Sequence, residues 1–180
     1  VADRTVRYLY DALRTPSLHA PACALARMFV TMPFEDLEPD QQEFVKGVID
    51  VAPDSPRMKC LTLLATAGQE QAWDSRHTSA GHKALPLPSA ESVVRAPMIA
   101  QLMRQLGVEL GALLSTDPRL VIDMEQHTFN VFYVADALGS PHIPAQQEFV
   151  ERYGIKSVLG FGGLLPTGDL FAIILFTTTH

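Results

Sequence analysis

Apolar positions repeat with a helical period at the start of the chain. Val6, Leu9, Tyr10 and Leu13 stand at i, i+3, i+4 and i+7, one stripe of an amphipathic helix closed off before Pro16. Residues 22–30 (ACALARMFV) lack that stripe, are small and apolar with one charge, Arg27, and read as a strand. Glu38-Pro39-Asp40 opens a second helix, since proline suits the first helical position and acidic residues suit the positive end of the dipole. Phe44, Val45, Val48 and Ile49 form its inner face, and Pro53 stops it. A strand follows over Cys60–Thr66, then an aperiodic stretch over 67–88. A long loop of that kind is uncommon inside a compact domain and often functional.

Ser89 caps a short helical turn, and Pro97 starts a better helix with Ile99, Leu102, Met103 and Leu106 on one face and Gly107 as its cap. Beyond it the pattern turns to strands: Val108–Leu114, Leu120–Met124 and the alternating Phe129–Val134. Pro144–Tyr153 reads as a helix with Phe149, Val150 and Tyr153 inward, ended by Gly154. Two apolar runs, Ile155–Leu165 and Leu170–Thr178, flank Pro166-Thr167-Gly168-Asp169, the composition of a type I turn followed by a left-handed residue. The sum is an α+β domain, a mostly antiparallel sheet of about six strands flanked by helices.

Composition narrows the class without naming an activity. The 180 residues suit a single domain able to bury on the order of 70% of its extended surface. A net charge of −6 argues against a nucleic-acid partner. No apolar run reaches the roughly 18 residues that span a bilayer, and no charged-then-apolar leader opens the chain, which points to a cytoplasmic protein. The chain starts at Val1 inside a helical pattern and stops just after a strand-like one, as expected of a domain cut from a longer protein.

The closing section carries a family resemblance. Gly154-Ile155-Lys156-Ser157-Val158-Leu159, then Leu164-Leu165-Pro166-Thr167-Gly168-Asp169-Leu170, then Phe171–Phe176 resemble the end of a GAF domain, where a helix leads into G-[IV]-x-S-[VL]-L, an apolar strand, a tight turn and a final strand. Met58–Thr66 and Ser140–Gln146 resemble GAF-like input regions of bacterial sensor histidine kinases that precede PAS and kinase modules. The resemblance implies a GAF/PAS-like (profilin-like) sheet over residues 1–180 and a sensory role in two-component signalling. It implies a small-molecule ligand held between the sheet and the 67–88 segment, or a signal relayed through a homodimer to downstream PAS/kinase modules. It supplies no cofactor. The Asn-Lys-Phe-Asp-Glu signature of cyclic-nucleotide-binding members is missing, and no cysteine directly precedes a histidine as in phytochromes.

The candidate chemistry is sparse. No phospho-acceptor helix or ATP lid is present, so this stretch has no kinase activity of its own. Gly160-Phe161-Gly162-Gly163 lacks the Lys-Ser/Thr of a phosphate loop and lies in a β-run, where a bulge or close backbone approach explains it. His77 and His82, with His127, are ligand-binding candidates. They would hold a metal or haem only if further groups such as Cys60 or His142 converged, and loop histidines hydrogen-bonded to the body are the simpler reading. Ser75, His77 and Asp74 are too close in sequence to aim at one another as a triad.

Trp73, the single tryptophan, is either a lid over a pocket or an anchor for its loop. The two cysteines, Cys23 and Cys60, read as buried small hydrophobes. The rival is a redox enzyme of the free methionine-(R)-sulfoxide reductase type, which shares the GAF fold and would use Cys60 and Cys23 as reactive thiols. The N-terminal stripe serves either a dimer contact or the chain's own sheet.

Overall fold

A computed structural model describes residues 1–15, 19–48, 56–79, 81–89, 97–105, 114, 131–143 and 145–180. The elements are α1 (Ala2–Ala12), β1 (Cys23–Pro33), α2 (Pro39–Val48), β2 (Lys59–Gly68), β3 (Ala84–Pro86), α3 (Pro97–Gln105), β4 (Val131–Val134), a π-helical turn (Gln146–Glu151), β5 (Ser157–Leu164) and β6 (Leu170–Thr177). The strands form one open six-stranded sheet in the order β3-β2-β1-β6-β5-β4, with every neighbouring pair antiparallel. The α+β class and the antiparallel sheet follow the sequence pattern.

Both faces of the sheet are covered. On one side Val6 is fully buried, and Leu9, Tyr10 and Leu13 pack with it on Ala26, Ala65, Ala67, Ile173 and Leu175. The α1 stripe therefore packs on its own sheet, the alternative the sequence offered to a dimer contact. Leu37 and Val45, the latter on α2, close the same side over Met58, Cys60 and Ala84. On the opposite side the larger core joins Leu25, Phe29, Leu61, Leu63, Ile174 and Phe176 of the sheet to Ile99 and Leu102 of α3 and to Val150 and Ile155.

A bulge makes that division possible. Met28 pairs with Ala65 and Phe29 with Leu63, so Leu64 is an extra residue in β2. Without it, strict alternation would put Leu63 and Ala65 on one face; with it they line opposite cores. The closing hairpin takes the expected turn. Gly168 donates to Leu165 O at 2.8 Å, Leu165 N to Asp169 O at 2.7 Å, and Gly168 sits at φ +82°. The Gly160–Gly163 run is a close approach, as expected of a β-run: a Cβ on Gly162 would lie 2.1 Å from Phe171 O, and one on Gly160 3.2 Å from Phe132 across β4.

Two expectations need adjusting. The described residues of the 67–88 stretch are structured: Gln71–Trp73 form a 3₁₀ turn, Ser79 N bonds Ser75 O at 2.9 Å, and β3 pairs with β2. Proline at its end hides β3 from a strand reading, because only an edge strand tolerates it. In place of the ordinary helix expected over Pro144–Tyr153, Gln146–Glu151 form a single π turn entered through Ala145 at φ +58°, with Ile155 N reaching back to Val150 O; residue 144 lies outside the described residues. β4, over Val131–Val134, falls within the expected Phe129–Val134, of which residues 129 and 130 lie outside the described residues. The strands expected at Leu120–Met124 and, apart from Leu114, at Val108–Leu114, the turn after Ser89, the Gly107 cap and His127 lie outside the described residues. Among the described residues no helix is long and apolar enough to cross a membrane.

Candidate ligand-binding site

A cleft lies on the α3 side of the sheet in two lobes of about 270 and 400 Å³. Both lobes are lined by Phe29, His82, Met98 and Ile174, which makes them neighbours across the same side chains. The smaller lobe is closed by Leu61, Leu85, Ile99 and Leu102 with Pro141 and His142. The larger runs past Arg27, Trp73, Phe149, Tyr153 and Phe176, with Glu148 among its lining residues. A mostly apolar concavity with a few convergent polar groups is the usual form of a small-molecule site.

Local chemistry holds the walls in place. Trp73 stacks at 4.6 Å from Tyr153 and 5.8 Å from Phe149, and Phe149 meets Phe176 edge-on at 4.9 Å. The indole reaches that position because residue 68 is glycine: a Cβ there would stand 2.7 Å from Trp73 Cε3. The loop carrying Pro141, His142 and Ile143 is tied down by Gln146. Its Nε2 donates to Ala137 O at 3.1 Å and Ile143 O at 2.9 Å, and its Oε1 accepts from Gly139 N at 2.7 Å.

The polar groups are few and unusual. Arg27 projects from β1 between Leu25 and Phe29 and is only 9% exposed. Its Nη2 donates to Ser79 Oγ at 2.9 Å, while its Nε has no acceptor and no carboxylate among the described residues pairs with it. Desolvation pushes this guanidinium down to about 10, so it stays a cation at neutral pH. Thr66 lies directly across from Arg27 on β2, and its buried Oγ1 is also without a partner. His142 Nδ1 in the smaller lobe is the third such atom among the described residues. His82, open to solvent on one side, has its imidazole pushed down by desolvation and then by the Arg27 charge.

The residues singled out from sequence divide. Trp73 and His82 line the cleft, and Trp73 is at once wall and loop anchor. His77 turns away from it. The exposed His77 ring lies beside Glu38 and Asp40, with the three ligating atoms within 4.8 Å of one another. Those carboxylates already have cations: Arg76 bonds Glu38, and Lys83 Nζ is 3.4 Å from Asp40. Ser75 Oγ accepts from the His77 backbone amide and Asp74 faces Arg7, so the three form no triad.

Cys60 is outside the cleft, on the other face of the sheet beneath α2. Cys23 is under α1, and Cys60 pairs with Met32, nine residues further along β1, which puts the two thiols on the order of 30 Å apart. Both are free and buried, and burial pushes each up to about 11. Lys59, the one cation adjacent to Cys60, pairs with Asp169 at 2.7 Å instead.

No protein-family model matches the chain, and no curated protein or solved structure is significantly similar to it. Arg27, Phe149 and Tyr153 were not among the residues expected to form a site, and His142 was named only as a possible metal or haem ligand. Only Arg27 left a signal, as the single charge in an otherwise apolar strand; a core strand carries a charge only where something offsets its desolvation.

Proposed function

We propose that this chain is a GAF-like sensory domain that binds a small molecule in the two-lobed cleft and passes its occupancy to PAS and kinase modules of a bacterial signalling protein. One observation carries the reading: two adjoining lobes of about 270 and 400 Å³, floored by the sheet and walled partly by Trp73, His82 and Leu85 of the 67–88 segment, where the resemblance places a ligand. The order of the closing elements supports it: a helical turn, Gly154, β5, a tight turn and β6. The buried thiols, about 30 Å apart and held neutral, do not favour the reductase reading.

Binding is tested by thermal shift and Trp73 emission against a library of small apolar and amphipathic compounds. The expected result is a saturable rise in Tm for some of them, lost in Met98→Trp, which plugs both lobes. A fold-intact chain that binds none of them, or a plugged variant that binds equally well, overturns the proposal.

A further inference from the structure

The three buried side-chain atoms without partners among the described residues are Arg27 Nε, Thr66 Oγ1 and His142 Nδ1. Arg27 and His142 line the cleft, and Thr66 is the cross-strand neighbour of Arg27. Buried polar atoms are normally satisfied, because leaving one dry costs about 1–3 kcal/mol and more for a charged group. A desolvated guanidinium with one neutral hydroxyl as its only hydrogen-bond acceptor among the described residues is the least satisfied group of the three.

What such a group lacks is an anion. A guanidinium presents its N–H donors in a planar fork that matches a carboxylate, and that bond is strongest where water is excluded. Around it stand Phe29, Trp73, Phe149, Tyr153 and Phe176, which offer an apolar body contact area. Glu148 lines the same lobe but is exposed and forms no ion pair with Arg27, so it does not neutralise that charge.

We infer that the ligand of this cleft is a small monocarboxylate with an apolar or aromatic body, its acid group bound by Arg27 beside Ser79 and Thr66 and its body between the aromatic wall and Met98. This deepens the ligand-binding reading and rests on it. One carboxylate supplies an acceptor to Arg27, and it offsets the one buried charge that lines the cleft among the described residues. The shape separates this class from inorganic anions, which would leave the aromatic wall empty.

The test uses 4-phenylbutyrate and octanoate, their primary amides, and the amines of equal length, titrated against the 180-residue chain by Trp73 emission and calorimetry. The acids are expected to bind about ten- to a hundredfold more tightly than the amides, with the amines weakest. Arg27→Met is expected to fold with an equal or higher Tm, since it removes an unpaired buried charge, and to lose the preference for acid over amide. The comparison of acids, amides and amines on the unmodified chain stands even where that variant does not fold. Amides binding as tightly as acids, or Arg27→Met keeping the acid preference, overturns the carboxylate assignment and leaves the ligand-binding cleft in place. No binding by any of the six compounds overturns both.

Discussion

The indole of Trp73 lies over Gly68 so closely that a Cβ on that glycine would stand 2.7 Å from Cε3. This contact joins the end of β2 to the aromatic wall of the cleft, since the same ring packs on Tyr153 at 4.6 Å. Gly68→Ala must therefore push Trp73 aside, because the added methyl also meets Ala24 O at 3.0 Å and Leu25 Cδ1 at 3.1 Å. The expected cost is about 1–3 kcal/mol in chemical denaturation. A red-shifted tryptophan emission should accompany it, and an unchanged spectrum with unchanged stability would contradict the contact.

His82 sets an acid limb. Its folded imidazole is pushed below the ordinary 6.5 by desolvation and by Arg27, so the unfolded chain takes up this proton first. Its contribution is present above the unfolded value and is lost as pH falls through 6.5 toward the folded one. His82→Gln should flatten the slope of stability against pH in that window, measured by urea midpoints at successive pH values. A variant with the parent's slope would mean that the ring titrates as it does in water.

The thiols set the alkaline limb. Both are pushed from 9.0 up to about 11, so the folded chain holds protons that the unfolded chain releases. Their stabilisation is intact below pH 9 and declines as pH rises toward 11. At pH 8 neither cysteine should react with a thiol reagent until denaturant is added. Cys60→Ala should cost roughly 1 kcal/mol through lost packing. Rapid labelling of the native chain would revive thiol chemistry as a function.

Lys59 and Asp169 clamp the closing hairpin to the start of β2. Their ion pair is 2.7 Å long, with side chains 10% and 25% exposed. Asp169→Asn or Lys59→Met should each cost about 1–3 kcal/mol, because each leaves a largely buried charge unpaired. The double variant should cost less than the sum, and thermal unfolding of all four proteins measures that coupling. Strict additivity would show that the pair contributes nothing.

Gly162 faces the backbone of β6 and no side chain fits there: its Cβ would lie 2.1 Å from Phe171 O and 2.9 Å from Ala172 Cα. Gly162→Ala should break the β5–β6 ladder locally, seen as loss of amide protection at Gly162 and Ala172 in hydrogen exchange. Gly163→Ala, with only Phe171 Cε1 at 3.9 Å, should leave that protection unchanged.

Periodicity and turn chemistry were enough for the elements that bury one continuous face. The α1 stripe, β1, β2 and the Pro166–Asp169 hairpin are legible because local spacing and the φ demands of a glycine do not depend on distant residues. The aperiodic 67–88 stretch was legible only as a place to look, and Trp73 and His82 were found there because aromatic and imidazole groups stand out in it. What the residue string leaves undecided is which face each group serves. Leu64, one extra residue in β2, decides that Leu63 and Ala65 enter opposite cores and that Thr66 faces the same way as Arg27. Cys60 and Leu61 are adjacent in the chain and lie on opposite sides of the sheet. The convergence of Arg27, Ser79 and Phe149 joins groups scattered along the chain. No local pattern encodes it, because only sheet register and the helical cover together bring those groups to one side of the sheet, where a buried lone charge has consequences.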